Sequence, residues 1–325
     1  MRLAPAIALV LRCGRILPPG FAWWIGGLLG DAVGRWPGVE QRRCRIHLAY
    51  AFPERGRIWQ ASCSRRVFRH MGRMALWTLS TLHRNPARIF RSIPIEGRQH
   101  LVQTIAAARR GEGTMFVSGH LGNWELLARL IGILVPVTLL GRRLRHPDLD
   151  TCIRELRSHG DNDVVYQDDD VRSLLRVLRS GRCLATLPDQ DVGRLAGCFV
   201  PWFGRLAYTP LGPAALAQLT GCAIQACYMV HRGGRWVVHV APRWQVPKRG
   251  GDRHLLQARI MARVMAWEEG LVRRHPEQWV WFHRRWRRTP EQRPDAPVIT
   301  SHVRIDPYGL RRRDAVAPQA GSPPA

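Results

Sequence analysis

Lysine is almost missing from this 325-residue chain: Lys248 stands alone, although Lys and Arg together number 50. Acidic residues are scarce as well, 24 Asp plus Glu, and the formal net charge is +26. So strong an imbalance calls for an anionic partner, whether nucleic acid, phospholipid headgroups or a phosphorylated substrate. Charge alone does not choose among them, and a GC-rich genome would account for part of the arginine excess. No two of the eight cysteines are spaced Cys-x-x-Cys, so a zinc site is not indicated. Several sit among apolar neighbours, as small core residues do, and their use points to a reducing compartment. No apolar run reaches the roughly 18 residues of a clear spanning helix. His-Glu-x-x-His is absent, and Ser118 lacks the Gly-x-Ser-x-Gly setting, which removes two hydrolase signatures. The arginines are dispersed between apolar helix faces and form no recognisable nucleic-acid motif, so no nucleic-acid partner is expected. Internal repeats are not evident.

Hydrophobic residues make up 46% of the chain, enough for a sizeable core. Three parts are expected: residues 1–35, residues 36–290 and residues 291–325. In the first, Leu3 to Leu11 and Ile16 to Val33 are apolar but broken by Pro18, Pro19 and glycines. Trp23, Trp24 and nearby arginines suit one or two helices lying in or dipping into a membrane interface. Arg42, Arg43 and Arg45 follow on a basic amphipathic stretch, and a helix is expected from about Arg57 to Leu82. The middle part alternates short apolar strands with helices, which argues for an α/β fold; a central mixed sheet flanked by helices is expected. Thr209 is read as the cap of a helix running to Leu219, and Phe199 to Gly204 as an apolar loop. The last part is rich in Pro, Arg, Asp and Ala and reads as disordered.

The stretch Thr114 to Glu125 carries the chemistry. Met115, Phe116 and Val117 make a strand, Ser118 and Gly119 a turn, and Trp124, Leu127, Leu130 and Ile131 recur with helical period. Five helical residues apart, His120 and Glu125 would point away from each other. They can meet only if His120 lies in the turn and Glu125 in the first turns of the helix. The imidazole would then stand beside backbone N–H groups at a helix start, with a carboxylate to orient it. Asn123 is a typical helix-start residue. A plain capping or solvated pair is the simpler alternative for each.

His120-Leu-Gly-Asn-Trp-Glu125 resembles the H-x-x-x-x-[DE] motif of glycerolipid and lysophospholipid acyltransferases, and in particular the bacterial lipid A late acyltransferases. Leu187-Pro-Asp-Gln-Asp191, Phe203 to Thr209, Gly212 to Ala217 and Pro276-Glu-Gln-Trp with His283-Arg-Arg-Trp286 are similar to later blocks of that family, in the same order. The likeness spans roughly residues 10 to 290. One departure is the Arg-His-Pro after Gly141, where relatives tend to have Asn-Pro.

The resemblance implies acyl transfer from a thioester to a lipid hydroxyl. His120 would be the general base and Glu125 the group that fixes its tautomer. Arg157 would stabilise the oxyanion or bind phosphate, with Asp189 ordering that arginine. Arg142 would contact phosphate or carrier, and Asn123 belongs to the same substrate-binding or oxyanion set. Arg284 and Arg285 are candidates for an acidic carrier or headgroup, and Phe199 to Phe203 for an acyl channel. The implied donor is acyl-carrier protein or acyl-CoA, and the implied acceptor a lipid A precursor or related glycolipid. The expected setting is the cytoplasmic face of the inner membrane, with the membrane surface as a partner, no cofactor and no metal. The alternatives are acylation of another lipid acceptor such as a lysophospholipid, a metal-dependent hydrolase using His120, Glu125, Asp189 and Asp191, and an Arg-rich nucleic-acid-binding protein.

Overall fold

The computed structural model of the chain describes residues 16–82, 84–144, 146–158, 162–247 and 252–301. The apolar stretch before residue 16 and the tail after residue 301 lie outside it. The strands are β1 (Ile95–Glu96), β2 (Thr114–Val117), β3 (Val137–Gly141), β4 (Asp163–Tyr166), β5 (Cys183–Thr186), β6 (Gly197–Trp202), β7 (Arg205–Pro210), β8 (Ala223–Arg232) and β9 (Arg235–Val240). Seven of them form one sheet in the order β1-β9-β8-β2-β5-β3-β4. β8 and β9 run antiparallel, and the other neighbours run parallel. The sheet is therefore mixed, as expected.

The helices are α1 (Pro19–Arg35), α2 (Val39–Ala51), α3 (Arg57–Thr81), α4 (Pro86–Arg91), α5 (Arg98–Arg109), α6 (Trp124–Ile131), α7 (Pro147–Arg157), α8 (Val171–Arg179), α9 (Gly212–Thr220) and α10 (Arg253–Arg274). They cover both faces of the sheet. β2 is buried throughout: Met115 and Val117 belong to one core and Phe116 to the other. A strand buried on two sides reads as a continuous apolar run, which is why it was visible in the sequence.

α1 packs on α3 through glycine. A Cβ on Gly26 would lie 2.3 Å from the Gly72 carbonyl oxygen, and one on Gly72 would lie 2.1 Å from that of Gly26. Only two bare backbones fit at that spacing. Asp31, buried at the crossing, takes Arg35 at 2.9 Å, Arg65 at 3.2 Å and Arg69 at 2.8 Å. The large side chains Phe21, Trp24, Leu28, Leu29 and Val33 are left on the exposed side. No described helix is long and apolar enough to cross a membrane.

Three expectations are corrected. Phe199 to Trp202 is not a loop but part of β6, paired antiparallel with β7. Phe203 (φ 52°) and Gly204 (φ 75°) make the left-handed turn between them, and Glu269 holds the strained Phe203 N–H at 2.8 Å. Thr209 lies in β7, and α9 starts at Gly212 with a proline in its first turn instead of a side-chain cap. The tail is ordered as far as it is described: Phe199 N donates to Pro297 O at 2.8 Å and Ile299 N to Phe199 O at 2.9 Å, adding a short strap along β6.

Candidate active site

β2 and β5 are parallel neighbours, so the chain leaves both at the same edge of the sheet. His120 follows β2 and Asp189 follows β5. Ligand sites in such sheets gather at the carboxyl ends of the strands. Here the strand order brings together two residues far apart in sequence. The His120 backbone N–H donates to Asp189 Oδ2 at 2.7 Å, and His120 Nδ1 meets Asp189 Oδ1 at 2.7 Å. The Trp279 indole N–H adds a third bond, to Oδ2 at 3.0 Å. Burial would raise the Asp189 carboxyl, but the His120 charge and its two hydrogen bonds outweigh it and hold the group well below the usual carboxylate range. Asp189 is thus an acceptor only, which assigns the Nδ1 proton to His120 and leaves the lone pair on Nε2. The Gln190 amide nitrogen sits 3.0 Å from that Nε2. Trp124 and His283 wall the imidazole at ring distances of 5.2 and 5.0 Å. Burial, with the His120 charge next, lowers His283 to about 4, so it is a neutral wall.

Glu125 takes a different partner. Arg157 Nε reaches its Oε2 at 2.9 Å and Nη2 its Oε1 at 2.5 Å, a two-pronged pair. The Trp124 indole adds a bond at 3.1 Å. Burial raises Glu125, yet the Arg157 bonds and charge win and keep it ionised. The same pair raises Arg157 against its own burial. His120 does lie in the turn before α6 and Glu125 in its first turn, but the expected partners are exchanged. Asp189, not Glu125, orients His120, and Glu125, not Asp189, orders Arg157.

Other expectations change too. Asn123 is fully buried: its oxygen caps Leu126 N at 3.0 Å and its amide donates to Thr78 Oγ1 at 2.9 Å. It is a cap and is not open to substrate. The backbone donors expected beside the imidazole are also taken, Gly122 N by Gln278 O and Asn123 N by Met229 O. Arg285 is buried and bonded to Tyr208 O and Thr209 Oγ1, so it meets no carrier; Arg284 is exposed. Phe199, Val200 and Trp202 are fully buried core residues. Asp191 pairs with Arg288.

Two hollows meet at this edge. A groove of about 390 Å³ is lined by His120, Gln190, Arg142, Arg154 and Arg157 among others. Arg142 is on its exposed rim. An apolar cavity of about 70 Å³ runs between α6 and the sheet, walled by Phe116, Leu127, Ile131, Val137 and Leu139. Arg157, Leu140 and Leu187 line both, and Glu125 lines the cavity. A base, a guanidinium and an apolar slot thus adjoin. That combination can deprotonate a hydroxyl, steady an oxyanion and hold a hydrocarbon chain. Gln190, Trp279 and His283 lie in blocks the resemblance singled out, but their roles were not read from the sequence, because they reach His120 from the segments after β5 and after α10.

A family model described as bacterial lipid A biosynthesis acyltransferase matches residues 3–288. The lipid A biosynthesis palmitoleoyltransferase of Escherichia coli is 24% identical over 272 residues, covering 81% of this chain and 85% of the relative. The lipid A biosynthesis lauroyltransferase of Escherichia coli is 25% identical over 288 residues, 86% of this chain and 89% of the relative. A phosphatidylinositol mannoside acyltransferase of Mycobacterium tuberculosis is 29% identical over 192 residues, 58% of this chain and 55% of the relative.

Proposed function

Since the chain belongs to the bacterial lipid A biosynthesis acyltransferase family and is an acyltransferase, we propose that it moves a fatty acyl group from a thioester to a hydroxyl of a lipid A precursor or related glycolipid. The observation that carries this reading is the lone pair on His120 Nε2, left there because Asp189 binds the opposite nitrogen at 2.7 Å, and faced by the Gln190 amide, which an incoming hydroxyl would displace. As the lipid hydroxyl attacks the thioester carbon, Nε2 takes its proton and the C–O bond forms. Asp189 stabilises the resulting imidazolium. Arg157, already beside the groove and the cavity, supports the oxyanion. The tetrahedral species then collapses, the C–S bond breaks, and the departing thiolate takes the proton back from Nε2. No acyl-enzyme is required.

The apolar cavity is the natural place for the acyl chain, and the arginines of the groove suit phosphate on the donor arm or the acceptor. Acyl-carrier protein or acyl-CoA is the donor in this reading. The exposed apolar face of α1, with arginines around it, would rest on the cytoplasmic surface of the inner membrane. The mannoside acyltransferase relative keeps the acceptor at the level of a glycolipid. The test is purified full-length protein in detergent with an acyl-carrier-protein or acyl-CoA donor and a lipid A precursor, followed by mass spectrometry. The expected product gains one acyl chain. Absence of any acylated lipid with either donor, from folded protein, would contradict the proposal.

A further inference from the structure

Behind Asp189 lies a second carboxyl for which the proposed reaction has no use. Glu268, on α10, is 1% exposed. It presses on the turn that carries His120: a Cβ on Gly119 would come within 1.7 Å of Glu268 Oε1. Glycine at 119 is what lets the carboxyl approach. Asp189, fully buried and bonded to the N–H of the next residue, His120, is its neighbour there. Among the described residues no donor makes a well-formed hydrogen bond to either Glu268 oxygen. The nearby Trp279 N–H goes to Asp189 Oδ2. Arg285 also faces Glu268 and its charge favours the ionised form; two of its nitrogens are engaged by Tyr208 and Thr209, and its Nε, without a partner, makes no hydrogen bond to Glu268.

An ionised Glu268 would therefore be a poorly solvated charge next to another carboxylate, a costly arrangement in a dry interior. The protonated form has a partner, because its O–H can donate to Asp189. Burial first, and the Asp189 charge second, push the Glu268 carboxyl well above the usual range, while Asp189 is held down. Environments that drive two neighbouring carboxyls apart assign the proton to one of them.

We propose that Glu268 is a positioning residue, a neutral carboxylic acid whose O–H donates to Asp189 and steadies the carboxylate that orients His120. The chain of contacts runs from Glu268 to Asp189 to His120, and the proton stays on Glu268 throughout. Its kinetic consequences rest on the acyl-transfer reading; its protonation state does not.

The test uses full-length wild type, E268Q and E268L. The His120 ring is titrated by NMR, and kcat and KM are measured for acyl transfer. Gln keeps a donor without charge, so the His120 pKa should move by less than about 0.3 unit in E268Q, with kcat within about twofold. Leu removes the donor, leaving Asp189 more basic. The His120 pKa should then rise by roughly half to one unit, and kcat should fall about tenfold with KM unchanged. A fall of about one unit in E268Q would mean that Glu268 carries a charge, and overturns the proposal. Wild-type pKa and kcat in E268L overturn it equally. Where E268L does not fold, infrared spectroscopy decides. A protonated-carboxyl stretch present in wild type and lost in E268Q supports the proposal, and its absence from wild type contradicts it. Should no variant, wild type included, consume a thioester, the acyl-transfer reading fails while the ring titration and the infrared band still decide the state of Glu268.

Discussion

The His120–Asp189 corner and the Arg157–Glu125 pair share one edge of the sheet but are held in different ways. Asp189 is fully buried and receives three hydrogen bonds from a backbone N–H, an imidazole and an indole. Its two members hang from the ends of neighbouring parallel strands. Arg157 and Glu125 are 26% and 29% exposed, and both come from helices. They also stand where the groove and the apolar cavity meet. A proton-transfer group has to be fixed to within a fraction of an ångström. A charge pair beside the slot meant for an incoming chain has to let its arginine turn toward a developing oxyanion. The contrast in burial fits that division of labour.

The sharpest way to break it is His120→Ala. Transfer should fall by about a thousandfold or more, with circular dichroism unchanged. Wild-type turnover from folded H120A would leave the corner without a role. Arg157→Ala should come next, with a loss of roughly a hundredfold in kcat, and Arg157→Lys should recover only part of it because the two-pronged geometry is gone. Glu125→Gln should lose about tenfold, since it frees Arg157 rather than removing it. If steady-state kinetics put E125Q level with H120A, Glu125 acts on the imidazole after all and the two pairs are not distinct.

The cavity sharpens the comparison further. Ala128→Phe narrows it from the α6 side. Long-chain donors should slow about fourfold for each methylene excluded, at roughly 0.8 kcal/mol apiece. Short-chain donors should be unaffected, which a donor series read by mass spectrometry would show. An equal loss for every chain length would mean that the acyl group lies elsewhere. Smallest in its effect on catalysis is Gly72→Val, at the α1–α3 crossing. Thermal unfolding should drop by about 5–10 °C for a penalty near 3 kcal/mol, while turnover per folded molecule stays constant.

What could be read from the sequence was local. The β2 run, the turn at Gly119 and the helical period from Trp124 all depend on residues within a dozen positions of one another. They led to the correct strand, turn and helix. The exchange of partners between the two carboxylates was not legible. It follows from β5 lying beside β2, and strand order is written in no single segment. Glu125 is near His120 in sequence, yet its helical turn directs it toward α7, where Arg157 waits. Phe199 to Trp202 was misread because Pro201 and the aromatics suggested a loop. The register with β7 turns on Phe203 adopting a positive φ, which a bulky residue rarely does. The segment after Pro290 has a disordered composition. Its order between 291 and 301 comes from backbone bonds to the edge of β6, and composition does not report those.

The most direct test of the whole account is a double-mutant cycle on single-turnover acyl transfer with H120A, D189N and the H120A/D189N pair. If Asp189 acts through the imidazole, D189N loses most of what H120A loses, and the double variant is no slower than H120A alone. Wild-type transfer by D189N, or losses that multiply in full in the double variant, would contradict the claim that Asp189 holds His120 as the base.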